Sequence, residues 1–256
     1  MTFDEWRDPY PAPVIEYHNN VAVVRDDLLG VGSKVRALDY LIGHDVAYSH
    51  VREWVFGACP ATGYAQISLP AVCNRYDKKA VLFMAQRRLD RLHAYQQRGA
   101  ALGADYRWVP SGMLTVTLAR ARAYVAERPD ERALLPIGLE HPTVSASFTR
   151  VAQALSLTPD YVWSVASSGT LNRALQDAWP QAEVHVVSVG HTMSERERGR
   201  AIFHRSPYTF DNAVKLADTP PFPSALTYDA KAWRPLLDWY DMTRPTGVVL
   251  FWNVGA

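Results

Sequence analysis

Short apolar runs alternate with segments of helical period along most of this chain. The runs are rich in β-branched and aromatic residues and predict strands at 53–58, 80–85, 106–110, 133–138, 161–166, 183–190 and 247–253. Apolar positions recur at helical spacing in 34–46, 87–102 and 170–179. Strands that read as continuous apolar runs between helices predict an α/β protein whose parallel sheets are covered on both faces.

Two interruptions of this pattern suggest how the chain is organised. The polar segment 126–133 separates the first series of strands and helices from the second, and the Pro-rich segment 219–233 predicts an irregular, functional loop. In open α/β proteins, ligands bind in the loops at the carboxyl ends of the strands. We therefore look for chemistry where a predicted strand leads into a helix.

Composition narrows the class of protein without choosing a function. The 256 residues include 27 Lys and Arg against 26 Asp and Glu, a net charge of +1 that gives no bulk argument for nucleic acid or an acidic membrane. No apolar run approaches the roughly 18 residues of a membrane helix, and the N-terminus resembles neither a signal nor a transit peptide. We expect a cytoplasmic globular protein that does not interact with membranes.

Cysteine and histidine spacing predicts neither disulfides nor a metal site. Cys59 and Cys73 cannot form a disulfide framework and are expected to be small buried side chains. His185 and His191 flank a predicted strand without a second ligand at metal spacing. We therefore expect no metal.

The first candidate loop leads to a lysine. Gly30, Gly32 and Ser33 precede Lys34, which stands in the first turn of a predicted helix. The positive end of a helix and partial burial would lower the pKa of an amine there, as a Schiff-base lysine requires. A solvated lysine after a loop is the alternative. The other lysines are in less promising settings. We expect Lys78 and Lys79 to be solvated and Lys231 to lie at a surface helix start, with a substrate contact as its alternative, and Lys215 has no glycine-rich neighbourhood.

The second candidate is the 167–170 loop, Ser167-Ser168-Gly169-Thr170, between a predicted strand and a helix. Several backbone N–H groups and hydroxyls would point at one spot on the positive helix end, which favours a phosphate. The loop lacks the glycine spacing of a dinucleotide site and the lysine of a Walker loop. An ordinary Ser-capped helix remains the alternative.

Two further segments complete the set. The 57–66 loop again joins a strand to a helix, and we expect Thr62 or Gly63 to begin that helix and to offer N–H groups to a carboxylate. Tyr228 and Asp229 lie in the late irregular segment, and Asn253 follows the last predicted strand.

Together these loops resemble the fold-type II pyridoxal-phosphate (PLP) enzymes, the tryptophan-synthase-β-like superfamily, and among them aminocyclopropane-carboxylate deaminase and D-cysteine desulfhydrase. The similarity runs from about Val24 to the C-terminus in the family's order. Its most specific element is the Arg25-Asp26-Asp27 stretch that leads through glycines to Lys34.

The resemblance assigns a role to each loop. It implies that Lys34 is the Schiff-base lysine, that Tyr228 lies near the cofactor–substrate adduct and that Asp229 pairs with the pyridine nitrogen. Cofactor contacts are implied for Ser167, Ser168, Gly169, Thr170 and Asn253, and substrate contacts for Ala61, Thr62, Gly63 and Gln66. The implied architecture is two parallel-sheet α/β domains with PLP in the cleft between them. The larger domain would comprise 1–45 and 133–256, the smaller 46–132, and a homodimer is expected.

The implied activity is that of a PLP-dependent lyase or deaminase that breaks a bond at the α-carbon of an amino acid through a quinonoid intermediate. The deaminase has serine and asparagine where this chain has Ala61 and Thr62, so cyclopropane deamination is not expected. The substrate and the bond broken stay open.

Two other readings also stay open. Small members of this superfamily occur among phage enzymes that act on amino-acid-modified thymidine in DNA, including by decarboxylation. Arginine clusters in 86–107 and 195–205 could bind such DNA, although solvated helix faces are the simpler interpretation. The chain could also be a family member that binds PLP without turnover.

Overall fold

The computed structural model describes residues 1–190 and 192–256. The described strands are β1 Val14–His18, β2 Val21–Arg25, β3 Glu53–Phe56, β4 Lys79–Ala85, β5 Asp105–Val109, β6 Arg132–Leu134, β7 Tyr161–Ala166, β8 Glu183–Ser188, β9 Ile202–Arg205 and β10 Val249–Asn253. The described α-helices are α1 Lys34–Gly43, α2 Ala65–Arg75, α3 Ala94–Ala101, α4 Leu114–Ala126, α5 Pro142–Gln153, α6 Thr170–Ala178, α7 Glu195–Arg198 and α8 Ala230–Thr243. Each predicted strand is present, and α1 and α6 begin at the predicted residues.

The chain divides into two compact units. Unit 1 comprises Met1–Asp8 and Lys34–Val144, and unit 2 comprises Pro9–Ser33 and Ser145–Ala256. Unit 1 thus holds α1 and residues 133–144 in addition to the predicted smaller domain. Two contacts account for this: β6 pairs with β3, and the Asp39 carboxylate on α1 accepts a hydrogen bond from the Tyr76 hydroxyl just after α2. The domain boundaries predicted from the sequence, at residues 46 and 132, stay a prediction.

Unit 2 is built on a six-stranded sheet in the order β1-β2-β10-β7-β8-β9, in which only the β1–β2 pair is antiparallel. Alternate residues of the inner strands pack into different hydrophobic clusters. Leu250 and Trp252 pack in one, and Phe251 packs in another. Because both faces are covered, β10 is buried along its whole length, which explains its continuous apolar sequence.

Unit 1 is built on a four-stranded parallel sheet in the order β5-β4-β3-β6. Val55, Val81 and Ala121 belong to one buried cluster, which joins β3 and β4 to α4. The 57–66 loop leaves the carboxyl end of β3 and enters α2, so the predicted strand-to-helix loop lies at the sheet edge where ligands of α/β proteins bind.

The sequence pattern predicted a single helical segment at 87–102, and this prediction is wrong in its first half. Residues 89–91 form one 3₁₀ turn, and α3 begins only at Ala94. His93 caps the start of α3, because its Nδ1 accepts a hydrogen bond from the Tyr95 N–H. The His93 N–H in turn donates a hydrogen bond to the Gln96 side-chain oxygen.

Candidate active site

The 167–170 loop has the backbone geometry of an anion site. β7 ends at Ala166, Gly169 has φ +76°, and α6 begins at Thr170. A Cβ on Gly169 would lie 2.1 Å from the Glu197 carbonyl oxygen, so only glycine fits here. The N–H groups of Ser168 and Gly169 donate to no acceptor among the described residues. Together with the first turn of α6, they can converge on a bound anion.

Arg173, one turn along α6, adds a positive charge beside this loop. Its Nη1 donates to the Ser168 carbonyl at 3.2 Å and lies within 3.4 Å of the Glu197 carbonyl. The side chain therefore fixes the loop to the backbone near α7. Sequence reasoning missed Arg173, although its place four residues into a helix that starts at a candidate anion loop is a usable signal.

Tyr228 lies against the end of β7. Its hydroxyl is 3.4 Å from the Val165 carbonyl, to which it donates, and a backbone contact links it to Ser167. Burial, aided by the charge of Asp229, raises the pKa of Tyr228 well above its usual range. The hydroxyl therefore stays protonated at neutral pH. Its predicted place beside the cofactor and substrate stays a prediction.

Asp229 is almost completely buried, at 1% exposure, and precedes α8. Its Oδ2 accepts a hydrogen bond of 3.2 Å from the Gly255 N–H, just beyond β10. This contact places the carboxylate at the carboxyl end of the central strand. Tyr228, Asp229 and the 167–170 loop therefore lie at one edge of the unit 2 sheet.

Asn253, fully buried at the end of β10, has its side chain engaged within the protein. Its Nδ2 donates to Asp27 Oδ1 at 2.8 Å and to the Pro223 carbonyl at 2.9 Å, and its Oδ1 accepts from the Ser224 hydroxyl. Asn253 therefore fastens the end of β10 to the loop after β2. A direct cofactor contact by this residue stays a prediction.

The same loop continues, within unit 2, to the residue that precedes Lys34. Asp27 accepts two hydrogen bonds from the buried Arg25 guanidinium, and Gly32 adopts φ +76°. The Ser33 N–H donates to the Val254 carbonyl at 3.4 Å. Ser33 is followed directly by Lys34, the first residue of α1, so the backbone before the lysine is tied to the carboxyl end of β10.

In unit 1, the 57–66 loop is held in shape by Gln66. This fully buried side chain donates from Nε2 to the Ala61 carbonyl at 2.6 Å and to the Gly63 carbonyl at 2.9 Å. Its Oε1 accepts from the Tyr106 hydroxyl at 3.2 Å. Gln66 therefore shapes the loop from behind, and its predicted contact with substrate stays a prediction.

Within unit 1, the charge of Lys34 affects the pKa of Cys59 in the 57–66 loop. Burial raises the pKa of the Cys59 thiol to about 12, and the positive charge of Lys34 opposes that rise. Thr62 lies in a tight turn that is closed by the hydrogen bond from the Gly63 N–H to the Pro60 carbonyl, and its own N–H donates to no backbone acceptor among the described residues. α2 begins only at Ala65, so the prediction that Thr62 or Gly63 starts this helix is wrong.

Two lysines differ from their expected settings. Lys231 was expected at a surface helix start but is buried, at 1% exposure, and its Nζ donates to the carbonyls of Thr209 and Phe210. Lys78 is half-buried and donates to the Val51 carbonyl at 2.7 Å. Both amines are thus occupied with backbone carbonyls, whereas Lys79 and Lys215 are exposed.

Of the two histidines that flank the predicted strand at 183–190, the structure describes His185. His185 is buried, with its Nδ1 2.9 Å from His204 Nε2 and its Nε2 2.9 Å from a Glu183 carboxylate oxygen. His191 lies outside the described residues. Across residues 1–190 and 192–256, no three or more His, Cys, Asp or Glu side chains are grouped so as to hold a metal ion. In the same part of the chain, every helix is too short or too polar to cross a membrane.

Similarity to solved structures identifies the fold. The chain is similar to an ACC deaminase homologue with a TM-score of 0.81 and 16% identity, over 97% of this chain and 90% of that one. It is similar to threonine deaminase isoform 2 from Solanum lycopersicum with a TM-score of 0.69 and 14% identity, over 95% and 83% of the two chains. Diaminopropionate ammonia lyase from Escherichia coli gives 0.71 and 12%, over 99% and 85%.

These similarities show that the chain has the α/β fold of the fold-type II PLP-dependent enzymes, as the sequence resemblance predicted. No protein-family model matches the sequence, and no curated protein matches it. At this level of identity the likeness establishes the fold, and the activity has to be argued from the site.

Proposed function

We propose that this chain is a PLP-dependent lyase or deaminase that acts at the α-carbon of an amino-acid substrate, with Lys34 as the Schiff-base lysine. The observation that carries the proposal is the 167–170 loop. Its two open N–H groups and its glycine without room for a Cβ suit a phosphate at the carboxyl edge of the unit 2 sheet. The fold supports the same conclusion, because its solved relatives include enzymes named as deaminases and ammonia lyases.

Within unit 2, the residues present suit the charge of PLP. The 167–170 loop, with Arg173 behind it, would hold the phosphate, and Asp229 would face the ring nitrogen. Lys34 would hold the cofactor covalently. Bound PLP supplies an electron sink for the charge that develops at the α-carbon when one of its bonds breaks.

The protein's own groups would manage protons around that carbon. The Lys34 amine, when free, would take a proton from the α-carbon or return one. A buried Asp229 carboxylate would keep a proton on a neighbouring ring nitrogen, and the Tyr228 hydroxyl, protonated at neutral pH, would turn from the Val165 carbonyl to donate a hydrogen bond to the substrate. We assign Lys34 and Tyr228 to catalysis on this basis.

The 57–66 loop would bind the substrate carboxylate. The open Thr62 N–H and the positive start of α2 suit an anion, and Gln66 fixes the loop from behind. Ala61 offers no hydroxyl, so the substrate of choice is an acyclic amino acid and not a cyclopropane. Ala61 and Gly63 would contribute backbone surface to this contact.

The proposal is tested by titrating the purified protein with PLP and recording absorbance in the visible range. We expect saturable binding with a yellow absorption band, followed by release of ammonia or a keto acid from one member of an amino-acid panel. Lys34→Ala should lose the band, and Lys215→Ala, which removes an exposed lysine, should keep it. A colourless protein that takes up no PLP would refute the proposal.

A second candidate function is action on an amino-acid-modified nucleotide within DNA, by a PLP-dependent decarboxylation or elimination. It is favoured by the exposed loop after β4, in which Arg87 and Arg91 have no acidic partner among the described residues, while Arg88 pairs with Asp90. Unpaired arginines on a loop can contact phosphates. The second cluster contributes less, because Arg200 donates to three backbone carbonyls of unit 2.

A gel-shift titration with duplex DNA at increasing salt separates the two substrates. If DNA carries the substrate, the affinity falls steeply with salt, and the double variant Arg87→Gln/Arg91→Gln reduces that dependence. The absence of binding at low salt would remove this candidate. A protein that binds PLP but turns over neither substrate class would be the non-catalytic family member. We further propose that the protein is cytoplasmic and forms a homodimer. Light scattering of the purified protein, which measures the mass of the assembly, tests the homodimer.

A further inference from the structure

Lys231 is buried in unit 2 and has no role in the chemistry proposed above. It lies in the first turn of α8 and is 1% exposed. Its Nζ donates to the Thr209 carbonyl at 2.8 Å and to the Phe210 carbonyl at 2.9 Å. Burial lowers the pKa of Lys231, and the negative charge of Asp211 opposes this. An ammonium is costly to bury unless its hydrogen bonds are made, so these two carbonyls offset the cost of its position.

Both carbonyls belong to the 206–213 segment, which follows β9 and lies outside the helices and strands. Five of its eight residues are exposed, so burial of apolar surface contributes little to holding it. The Tyr208 hydroxyl donates to Asp218, which closes the chain locally but does not attach it to the sheet. Among the described residues, the Lys231 ammonium makes the only hydrogen bonds that join 207–213 to an α-helix or a strand. The conformation of the segment therefore depends on this one side chain.

Phe210 brings the segment to the 167–170 loop. Gly190, two residues after the end of β8, adopts φ +104°. A Cβ on this glycine would lie 3.2 Å from Phe210 Cδ2 and 3.5 Å from the Ser167 hydroxyl oxygen. The Phe210 ring and the Ser167 hydroxyl thus border the same space, which Gly190 leaves open.

This space is part of a cavity of about 710 Å³ at the carboxyl edge of the unit 2 sheet. The residues that line it come from β8, β9 and the 206–213 segment and include Ser188, Gly190, Arg205, Ser206, Tyr208 and Phe210. Because the cavity opens beside the 167–170 loop, it belongs to the proposed cofactor site, and the segment forms one of its walls. A wall that is fixed before the ligand arrives lowers the entropy cost of binding.

We propose that Lys231 is a positioning residue for cofactor binding, which holds the 206–213 segment as the wall that retains the phosphate of PLP. The inference rests on the proposed function, since it takes the 167–170 loop as the phosphate site. Lys231 acts through the segment and touches neither cofactor nor substrate. Without the ammonium, the segment loses its attachment to α8, and the affinity for the phosphate end of the cofactor falls.

Absorbance titrations of Lys231→Met with PLP and with pyridoxal, which lacks the phosphate, test this role. Methionine keeps an unbranched side chain and removes the charge. We expect the dissociation constant for PLP to rise about tenfold or more and that for pyridoxal to change less than about threefold, because the wall acts on the phosphate. A substitution that only loosened the fold would weaken both ligands alike. Lys215→Met, which removes an exposed lysine, should bind both ligands like the wild type.

Limited proteolysis with chymotrypsin reports on the segment itself, because Tyr208 and Phe210 are cleavage sites within it. Without cofactor, Lys231→Met should be cut at these sites at least about fivefold faster than the wild type, and Lys215→Met at the wild-type rate. In the wild type, saturating PLP should slow this cleavage by a similar factor, and saturating pyridoxal should not. This last comparison needs no variant, so it decides the proposal even if Lys231→Met fails to fold.

The proposal is overturned if Lys231→Met binds PLP like the wild type, if the folded variant loses PLP and pyridoxal equally, or if PLP leaves cleavage of the wild-type segment unchanged. When the wild type takes up PLP, any of these results removes this inference alone. A wild type that takes up neither PLP nor pyridoxal would remove the proposed function together with it.

Discussion

Two arginine–aspartate pairs with the same geometry provide a test of how the loop before Lys34 is stabilised. Arg25 donates to Asp27 through Nε and Nη2 at 2.9 and 2.8 Å, and Arg88 donates to Asp90 through the same atoms at 3.0 and 2.9 Å. In each pair the aspartate follows the arginine by two positions. The first has side-chain exposures of 5% and 2%, and the second 72% and 60%.

Burial should therefore decide the energetic result of removing each carboxylate charge. Asp27→Asn leaves the buried Arg25 guanidinium without its main partner, a change that typically costs about 3–5 kcal/mol. Glu16 also pairs with Arg25 and remains half-exposed, which offsets part of the loss. We expect Asp27→Asn to lower the free energy of unfolding by about 3 kcal/mol. The exposed pair is worth about 0–1 kcal/mol, so Asp90→Asn should be close to neutral.

Urea unfolding followed by far-UV circular dichroism at pH 7 measures both variants under the same conditions. The difference between them should be about 2 kcal/mol or more, and raising the salt concentration should affect Asp90→Asn more than Asp27→Asn. Losses of equal size, or a loss below about 1 kcal/mol for Asp27→Asn, would refute the argument that the buried pair organises this loop.

Further predictions concern the phosphate-binding geometry, pH and thiol reactivity. Gly169→Ala should weaken PLP binding at least about tenfold, whereas Gly103→Ala, at a similar φ of +81° but with an open Cβ position, should only lower stability by about 1–2 kcal/mol; equal PLP affinities in a titration would contradict this. Burial lowers the pKa of His204 to about 4, so the unfolded state binds more protons below about pH 6.5, and stability should fall from there towards pH 4. The melting temperature of His204→Gln should therefore fall less steeply between pH 6.5 and pH 4 than that of the wild type. An equally steep fall in the two proteins would contradict this role of His204. Burial raises the pKa values of Cys59 and Cys73 to about 12, so neither thiol should react with Ellman's reagent at pH 8 until urea unfolds the protein; rapid labelling of the native protein would disprove this.

Local patterns allowed much of the fold to be predicted, and the missed strands have a physical explanation. The inner strands β7 and β10 read as continuous apolar runs because both faces are covered. The edge strands β1 and β9 are partly exposed and therefore lack such a run. β2 is fully buried, but its last residues, Val24 and Arg25, were interpreted as part of the segment that leads to Lys34.

The candidate site was predictable where a loop and its function share a few consecutive residues. The 167–170 loop is of this kind, since its glycine and its helix start are adjacent in the sequence. The supporting contacts are not local. Asn253 binds Asp27 across 226 positions, and Lys231 reaches carbonyls more than 20 positions earlier. No periodicity or spacing in one sequence indicates such pairs, so Lys231 was wrongly expected at the surface.

The central claim is that Lys34 holds PLP covalently, and borohydride reduction followed by peptide mapping tests it most directly. The chain has five lysines, which makes the assignment unambiguous. After loading with PLP and reduction, mass spectrometry should find the phosphopyridoxyl group on the peptide that contains Lys34, and Lys34→Ala should carry none. Modification of a different lysine in the wild type, or an unchanged yield in Lys34→Ala, would contradict the account.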